Sequence, residues 1–331
     1  MTDLSLPVPV PVRSPRRVVV RRSKSDRVFR GGVRAAAVSA LAILGLIGLF
    51  LVLKASPALH KAGWSFLTEE RWQPGVNRFG VAALVCGTVV VATIAMLVAV
   101  PLAFGSAIYI SEYAPARMRR LLIGAVDLMA AVPSVVYGLW GFFWLQPRMV
   151  GVSRWIAVHV GGAIPFLSVK DASTPSSFTS SAFIAGIVVG VMVVPTATSV
   201  MREVFSQAPV GEREGAIALG ATTWGVVRRV VLPFGRSGVI GGTMLGLGRA
   251  LGETISVYMI ISPIFTMTTH PLQSGTNTIA ALIASQYSEA TGIGISALFA
   301  AGLVLFCFTL LVNSLAGIVV SRSRSGAMTE I

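Results

Sequence analysis

The chain has 331 residues, of which 54% are hydrophobic and only 12% charged, against about 25% charged residues in soluble domains. Its formal net charge is +14, yet the cations flank apolar runs instead of forming one basic surface. This composition excludes a soluble globular protein and a nucleic-acid-binding module, and it points to a chain that crosses a membrane.

Residues 1–34 are rich in Pro, Val and Arg and show no helical period, so a disordered, basic, membrane-facing tail is expected. The apolar run 35–53 that follows is longer than the 7–15 residues typical of a signal core and has no convincing cleavage site; it reads as a retained first span. Runs at 81–110, 121–145, 183–201, 238–262 and 295–320 bring the expected spans to six. Each suffices for a bilayer core of about 30 Å at about 1.5 Å per residue, and the second and sixth are long enough to tilt. Pro101, Pro133 and Pro195 fall in or near spans, where they imply kinks rather than breaks. The connection 146–181 is expected to carry surface structure of its own, and 321–331 to form a second tail. Cys86 and Cys307 sit in apolar runs without metal or redox spacing and read as packing residues, so no metal site is expected.

With the N-terminus inside, the inner segments hold nineteen Lys and Arg and the outer loops seven; the remaining cation, Arg249, lies within a span. The positive-inside rule then places both termini in the cytoplasm. The expected fold is an all-α polytopic membrane protein: tail 1–34, a six-helix domain 35–320 with a cytoplasmic loop 202–236, and tail 321–331.

That loop carries Glu214, Ala216, Gly220, Val230, Leu232 and Pro233 at the spacing E-x-A-x3-G-x9-[IV]-x-L-P. Residues 214–219 and 223–231 each suit a short helix, Gly220 permits a sharp turn, and Pro233 is expected to stop the second helix. Ala216, Ile217 and Leu219 offer an apolar ridge beside Glu212 and Glu214. Such a unit fits either docking into a groove on a cytoplasmic partner or simple interfacial anchoring.

Arg249 and Glu253, inside the fifth run, are four residues apart and so expected on one helical face. A charge at bilayer depth costs about 2.5–3.5 kcal/mol on insertion scales, so such residues tend to be functional. Two readings stay open. The two charges neutralise each other within the helix, or Arg249 donates to a passing oxyanion while Glu253 holds the guanidinium. Gly238, Gly242 and Gly246, with Gly248 and Gly252 beyond, let another helix approach closely, in this chain or in a second subunit. Asp127 lies near the inner end of the third run, where capping or snorkelling explains it as readily as transport.

The loop motif resembles the EAA loop of ABC importer permeases, with Gly215 in place of the middle Ala and Val230 in place of Ile. The segments AIYISEYAPARMR (107–119), DLMAAVPSVVYGLWG (127–141), ALGATTWGVVRRVVLPF (218–234) and GTMLGLGRALGET (242–254) look like the C-type permeases of phosphate-specific (Pst) ABC importers. That resemblance, covering about 81–321, implies the six-helix type I importer fold (MetI-like) in the bacterial plasma membrane. It implies that Glu214, Gly215, Ala216, Gly220, Val230, Leu232 and Pro233 contact an ATP-binding subunit. It also implies that Arg249 and Glu253 serve phosphate passage. The implied partners are a related permease (PstA-like), two ATP-binding subunits (PstB-like) and an extracytoplasmic phosphate-binding protein (PstS-like). No lysine lies in a G-x-x-x-x-G-K-[ST] loop, so no catalytic residue and no bound cofactor is expected here, and ATP with Mg2+ belongs to the partner. The residues alone leave phosphate, sulfate and molybdate open. An ion-coupled secondary transporter would more often show inverted repeats, and a sensor would need an output domain.

Overall fold

The computed structural model describes residues 24–323, apart from Asn77, Lys170, Thr266 and Thr269. The tails at 1–23 and 324–331 lie outside the described residues. The first helix, α1 (Lys24–Ala62), corrects the tail expected at 24–34, because those residues are helical. Asp26 sits in the first turn, where a carboxylate suits the helix dipole, and pairs with Arg30 one turn on at 3.4 Å. The chain forms two compact units, the first ending at Leu49 and the second starting at Phe50. The described part of the first is the leading part of α1, with Val38, Leu41 and Leu46 exposed.

The second unit continues through α2 (Ser65–Thr68), a small hairpin pairing Trp72 with Phe79, and α3 (Ala82–Ile108). Next come α4 (Ala116–Ala131), α5 (Ser134–Trp140), α6 (Gln146–His159) and α7 (Ala182–Ser206). The loop region holds α8 (Val210–Ala218) and α9 (Thr223–Val226), leading into α10 (Leu232–Gly252) and α11 (Ile255–Ile260). The chain closes with α12 (Ile279–Gln286) and α13 (Ile293–Ser323). Among the described residues, five helical runs are long and apolar enough to cross a membrane, or six if the bent pair α4 and Ser134–His159 is one span.

That pair is bent by 91°. Pro133 bars the helical conformation at the residue before it, and Val132 is extended at ψ 129°. The third expected span is therefore broken, not kinked; the Tyr137 hydroxyl straps the break by donating to the Met129 carbonyl at 2.9 Å. Pro101 and Pro195, by contrast, stay inside continuous helices.

Three other prolines, Pro115, Pro147 and Pro233, each follow a wide helical turn, at Tyr109–Tyr113, Gly141–Leu145 and Val227–Val231. In each, the residue just before the proline bonds five residues back: Ala114 to Tyr109, Gln146 to Gly141, Leu232 to Val227. Proline has no N–H and its ring crowds the carbonyl four residues earlier; widening the turn moves that carbonyl aside. Contrary to the expectation from sequence, Pro233 therefore does not stop the second loop helix. A single helical run, Thr223–Gly252, passes through it.

The core is the packing of α3, α7 and α10. Ala92, Ala95, Ala99, Ala103 and Ala107 recur at helical spacing on α3 and are buried against α7. A Cβ on Gly186 would come within 2.6 Å of the Ile94 side chain. On α10, Gly238 backs on Val204, Gly242 on Met201 and Gly246 on Val193, all from α7. The glycine stripe thus serves packing within this chain.

At the end remote from the α7–α8 connection, Phe66, Trp72 and Phe79 pack with Leu282 and Leu298, and Trp72 Nε1 donates to Gln286 Oε1 at 2.6 Å. The 146–181 segment does have its own structure. Beyond α6, Phe178 forms a small core with Ala157 and Leu272, and Ser181 pairs with Ser274. The Ser173 hydroxyl and backbone N–H hold the exposed Asp171 carboxyl below the usual carboxylate range.

Candidate functional site

Two places carry the residues singled out from sequence. The first lies where α10 ends. Helical geometry persists to Gly252, and Glu253 then turns extended at φ −67°, ψ 127°. The i, i+4 spacing therefore does not put Glu253 over Arg249, since that rule holds only while the helix continues. Instead, Glu253 Oε1 accepts from the Ser256 hydroxyl at 2.8 Å and from its backbone N–H at 3.4 Å. An acid there satisfies one free N–H, that of Ser256, in the first turn of α11 and suits its dipole. Neither the neutralising ion pair nor a clamp by Glu253 is formed.

Arg249 points toward α7 and donates from Nη1 to the Thr196 hydroxyl at 3.0 Å. Thr196 is neutral, so the contact orients the guanidinium without cancelling its charge. Tyr137, beside the break in the third span, lies within electrostatic reach of Arg249. Asn313 of α13 stands against Gly248, where an added Cβ would sit 3.6 Å from its Oδ1. The centre is one half-buried cation held by the Thr196 hydroxyl, with Tyr137 of α5 and Asn313 of α13 on the neighbouring segments. A planar guanidinium with donors to spare suits a tetrahedral oxyanion. Thr196, Tyr137 and Asn313 carried no sequence signal beyond polarity within apolar runs. Asp127 does not join this centre; it lies exposed on α4, without an ion pair among the described residues.

The second place is the loop. Gly220, at φ 84°, ends α8 in the left-handed conformation, while its N–H and that of Ala221 take the Ile217 and Ala216 carbonyls. The Thr222 hydroxyl then caps α9 by accepting from Gly225 N–H at 3.2 Å. The expected ridge divides: Ala216 packs on the core, whereas Ile217 is exposed and Leu219 is 91% exposed. Glu212 and Glu214 stand beside them in solvent, and a Cβ on Gly215 would meet open space. Val230 is half-buried, with Leu232 packed on the core and Pro233 exposed at the start of α10.

What fixes α8 to the bundle was not foreseen. Arg213 Nη1 pairs with Glu112 Oε2 at 3.1 Å, and its Nη2 donates to the Phe205 carbonyl at 2.6 Å. The Glu112 side chain is 7% exposed and that of Arg213 21%. One loop arginine thus ties the ends of α3 and α7 together. The two residues are 101 positions apart, so no local spacing could have revealed the pair.

The binding-protein-dependent transport system inner membrane component family matches residues 99–325. A phosphate transport system permease protein PstC from Mesorhizobium japonicum is 39% identical, over 96% of this chain and 97% of its own. Another PstC, from Mycobacterium leprae, is 40% identical, with coverages of 94% and 96%. In fold, the chain resembles a bacterial ABC transporter that imports the acidic polysaccharide alginate. The TM-score is 0.52 at 16% identity, over 92% of this chain and all of that one. The chain thus belongs to the binding-protein-dependent transport system inner membrane components, within their PstC phosphate-permease group.

Proposed function

We propose that this chain is the permease half of an ATP-driven inorganic phosphate importer, with both termini in the cytoplasm. Arg249 lends its charge to the anion midway across, while Thr196 holds the guanidinium in place. The observation that carries this reading is that, among the described residues, the Arg249 charge is met by a hydroxyl and not by a carboxylate. A cation kept at membrane depth without an anionic partner is costly unless a travelling anion compensates it. Glu253 contributes by fixing the chain's exit from α10 beside Arg249.

The exposed Ile217 and Leu219, flanked by Glu212 and Glu214, form the surface that receives a separate ATP-binding subunit. A related permease completes the pathway, and an extracytoplasmic phosphate-binding protein delivers the anion. Closure of the ATPase dimer on ATP and Mg2+ moves α8, and the Arg213 bridge passes that movement to α3 and α7.

Radiolabelled phosphate uptake in cells lacking their own importer tests both sites. Arg249→Gln should abolish uptake while leaving ATPase subunits attached, whereas Glu214→Ala should lose uptake together with ATPase attachment. Normal uptake by Arg249→Gln would remove the anion-path claim. Uptake of sulfate in preference to phosphate would reassign the substrate.

A further inference from the structure

On the side of α10 away from Arg249, a groove runs between α3 and α10. Near the arginine-rich end it opens into a cavity of about 700 Å3 floored by Phe104, Leu232 and Ile240 and flanked by Arg228 and Arg236. Deeper along the same two helices lies a cavity of about 430 Å3, lined by Met96, Leu97 and Val100 from α3 and by Thr243 and Leu247 from α10. Arg236, Ile240, Thr243 and Leu247 follow i, i+4, i+7, i+11 spacing and share one helical face. Arg249, thirteen residues from Arg236, falls on the opposite side with the glycine stripe, so the groove is separate from the anion centre.

The chemistry of the groove is graded along its length. Among the described residues, neither Arg228 nor Arg236 forms an ion pair, and no carboxylate lines either cavity. Further in, the Thr243 hydroxyl is spent on the Val239 carbonyl at 2.8 Å, leaving an apolar surface. From Arg236 to Leu247 the helix rises about 16 Å, close to one leaflet of a hydrocarbon core about 30 Å thick. A hydrated free anion gains nothing from Phe104 or Leu247. A molecule with a phosphodiester at one end and an acyl chain at the other complements every part.

We propose that the α3–α10 groove binds one anionic phospholipid, its phosphate between Arg228 and Arg236 and an acyl chain along Ile240, Thr243 and Leu247. This goes beyond the transport reading and does not depend on it. The test uses the full-length chain with whatever subunits accompany it from the membrane. Dioleoyl phosphatidylglycerol and dioleoyl phosphatidylcholine are offered in turn, and bound lipid is counted by native mass spectrometry. Wild type should retain the anionic lipid over the zwitterionic one by about thirtyfold, from about 1 kcal/mol for each of two cations. Arg228→Gln with Arg236→Gln, both exposed and hence harmless to folding, should bring that ratio near one. Thr243→Trp should fill the groove and lose both lipids. Unchanged anionic-lipid retention in the double variant would overturn the proposal. So would displacement of the lipid by millimolar inorganic phosphate, which marks a free-anion site. Efficient cross-linking of Leu97→Cys to a second subunit in native membranes would also overturn it, because a protein would then cover the groove.

Discussion

Replacing Glu112 by Gln should loosen α8 from the bundle, and the size of the effect follows from the geometry. Removing one member of a well-buried ion pair costs about 3–5 kcal/mol. Here the contact is a single 3.1 Å approach, Arg213 is 21% exposed, and Glu112 Oε1 and Arg213 Nε lack hydrogen-bond partners among the described residues. The cost should therefore sit below that range, at about 2 kcal/mol, because Arg213 keeps the Phe205 carbonyl and some solvent. Arg213→Gln should cost more, about 3 kcal/mol, since it strands a carboxylate that is 7% exposed. The double variant should cost less than the sum of the two, with a coupling of about 1–2 kcal/mol. Amide hydrogen exchange of residues 210–218, followed by mass spectrometry on the intact protein, reads the opening directly. A loss of 2 kcal/mol should speed exchange there about thirtyfold. Strictly additive costs, or protection of 210–218 unchanged in Glu112→Gln, would refute the claim that this pair anchors the loop.

Three further outcomes are expected. Thr196→Val removes the hydroxyl that orients Arg249 but keeps the charge, so phosphate uptake should fall several-fold, for about 1 kcal/mol, without the complete loss expected of Arg249→Gln. Gly238→Val would place a Cβ 2.4 Å from Val204 Cβ and should destabilise by about 1–3 kcal/mol in thermal unfolding. Gly241→Val meets nothing within 4 Å and serves as the neutral control. Asp171, held below its ordinary pKa, stabilises its loop at neutral pH and loses that contribution as pH falls through the lowered value. Proteolytic nicking of 160–181 should therefore rise in acid, and Asp171→Asn should flatten that dependence.

How much of this was legible in the sequence depended on the range of each interaction. Long apolar runs read directly as membrane-crossing helices because the bilayer sets their length. The α8–Gly220–α9 turn read correctly because a left-handed glycine acts within a few residues. The break at Val132–Pro133 was under-read, since proline in a membrane helix is often tolerated, as at Pro101 and Pro195. The expected contact between Glu253 and Arg249 is not formed, because the spacing rule assumes a helix that in fact ends at Gly252. The glycine stripe announced a close approach, but only the fold shows that Val204, Met201 and Val193 make it. Thr196 and the Glu112–Arg213 bridge depend on tertiary proximity alone.

The wide turn at Val227–Val231 has a consequence for how this chain tolerates insertions and deletions. A turn of this kind absorbs one extra residue without rotating the helix beyond it, so Arg228 and Arg236, eight positions apart, stand as though seven apart. Loss of one residue within it would leave the azimuth of Arg249 unchanged. The same loss anywhere between Phe234 and Gly248 would swing the guanidinium by about 100°, off Thr196 and toward the groove shared with α3. Chain length is thus forgiving in one turn before Pro233 and strictly phased in the four turns after it.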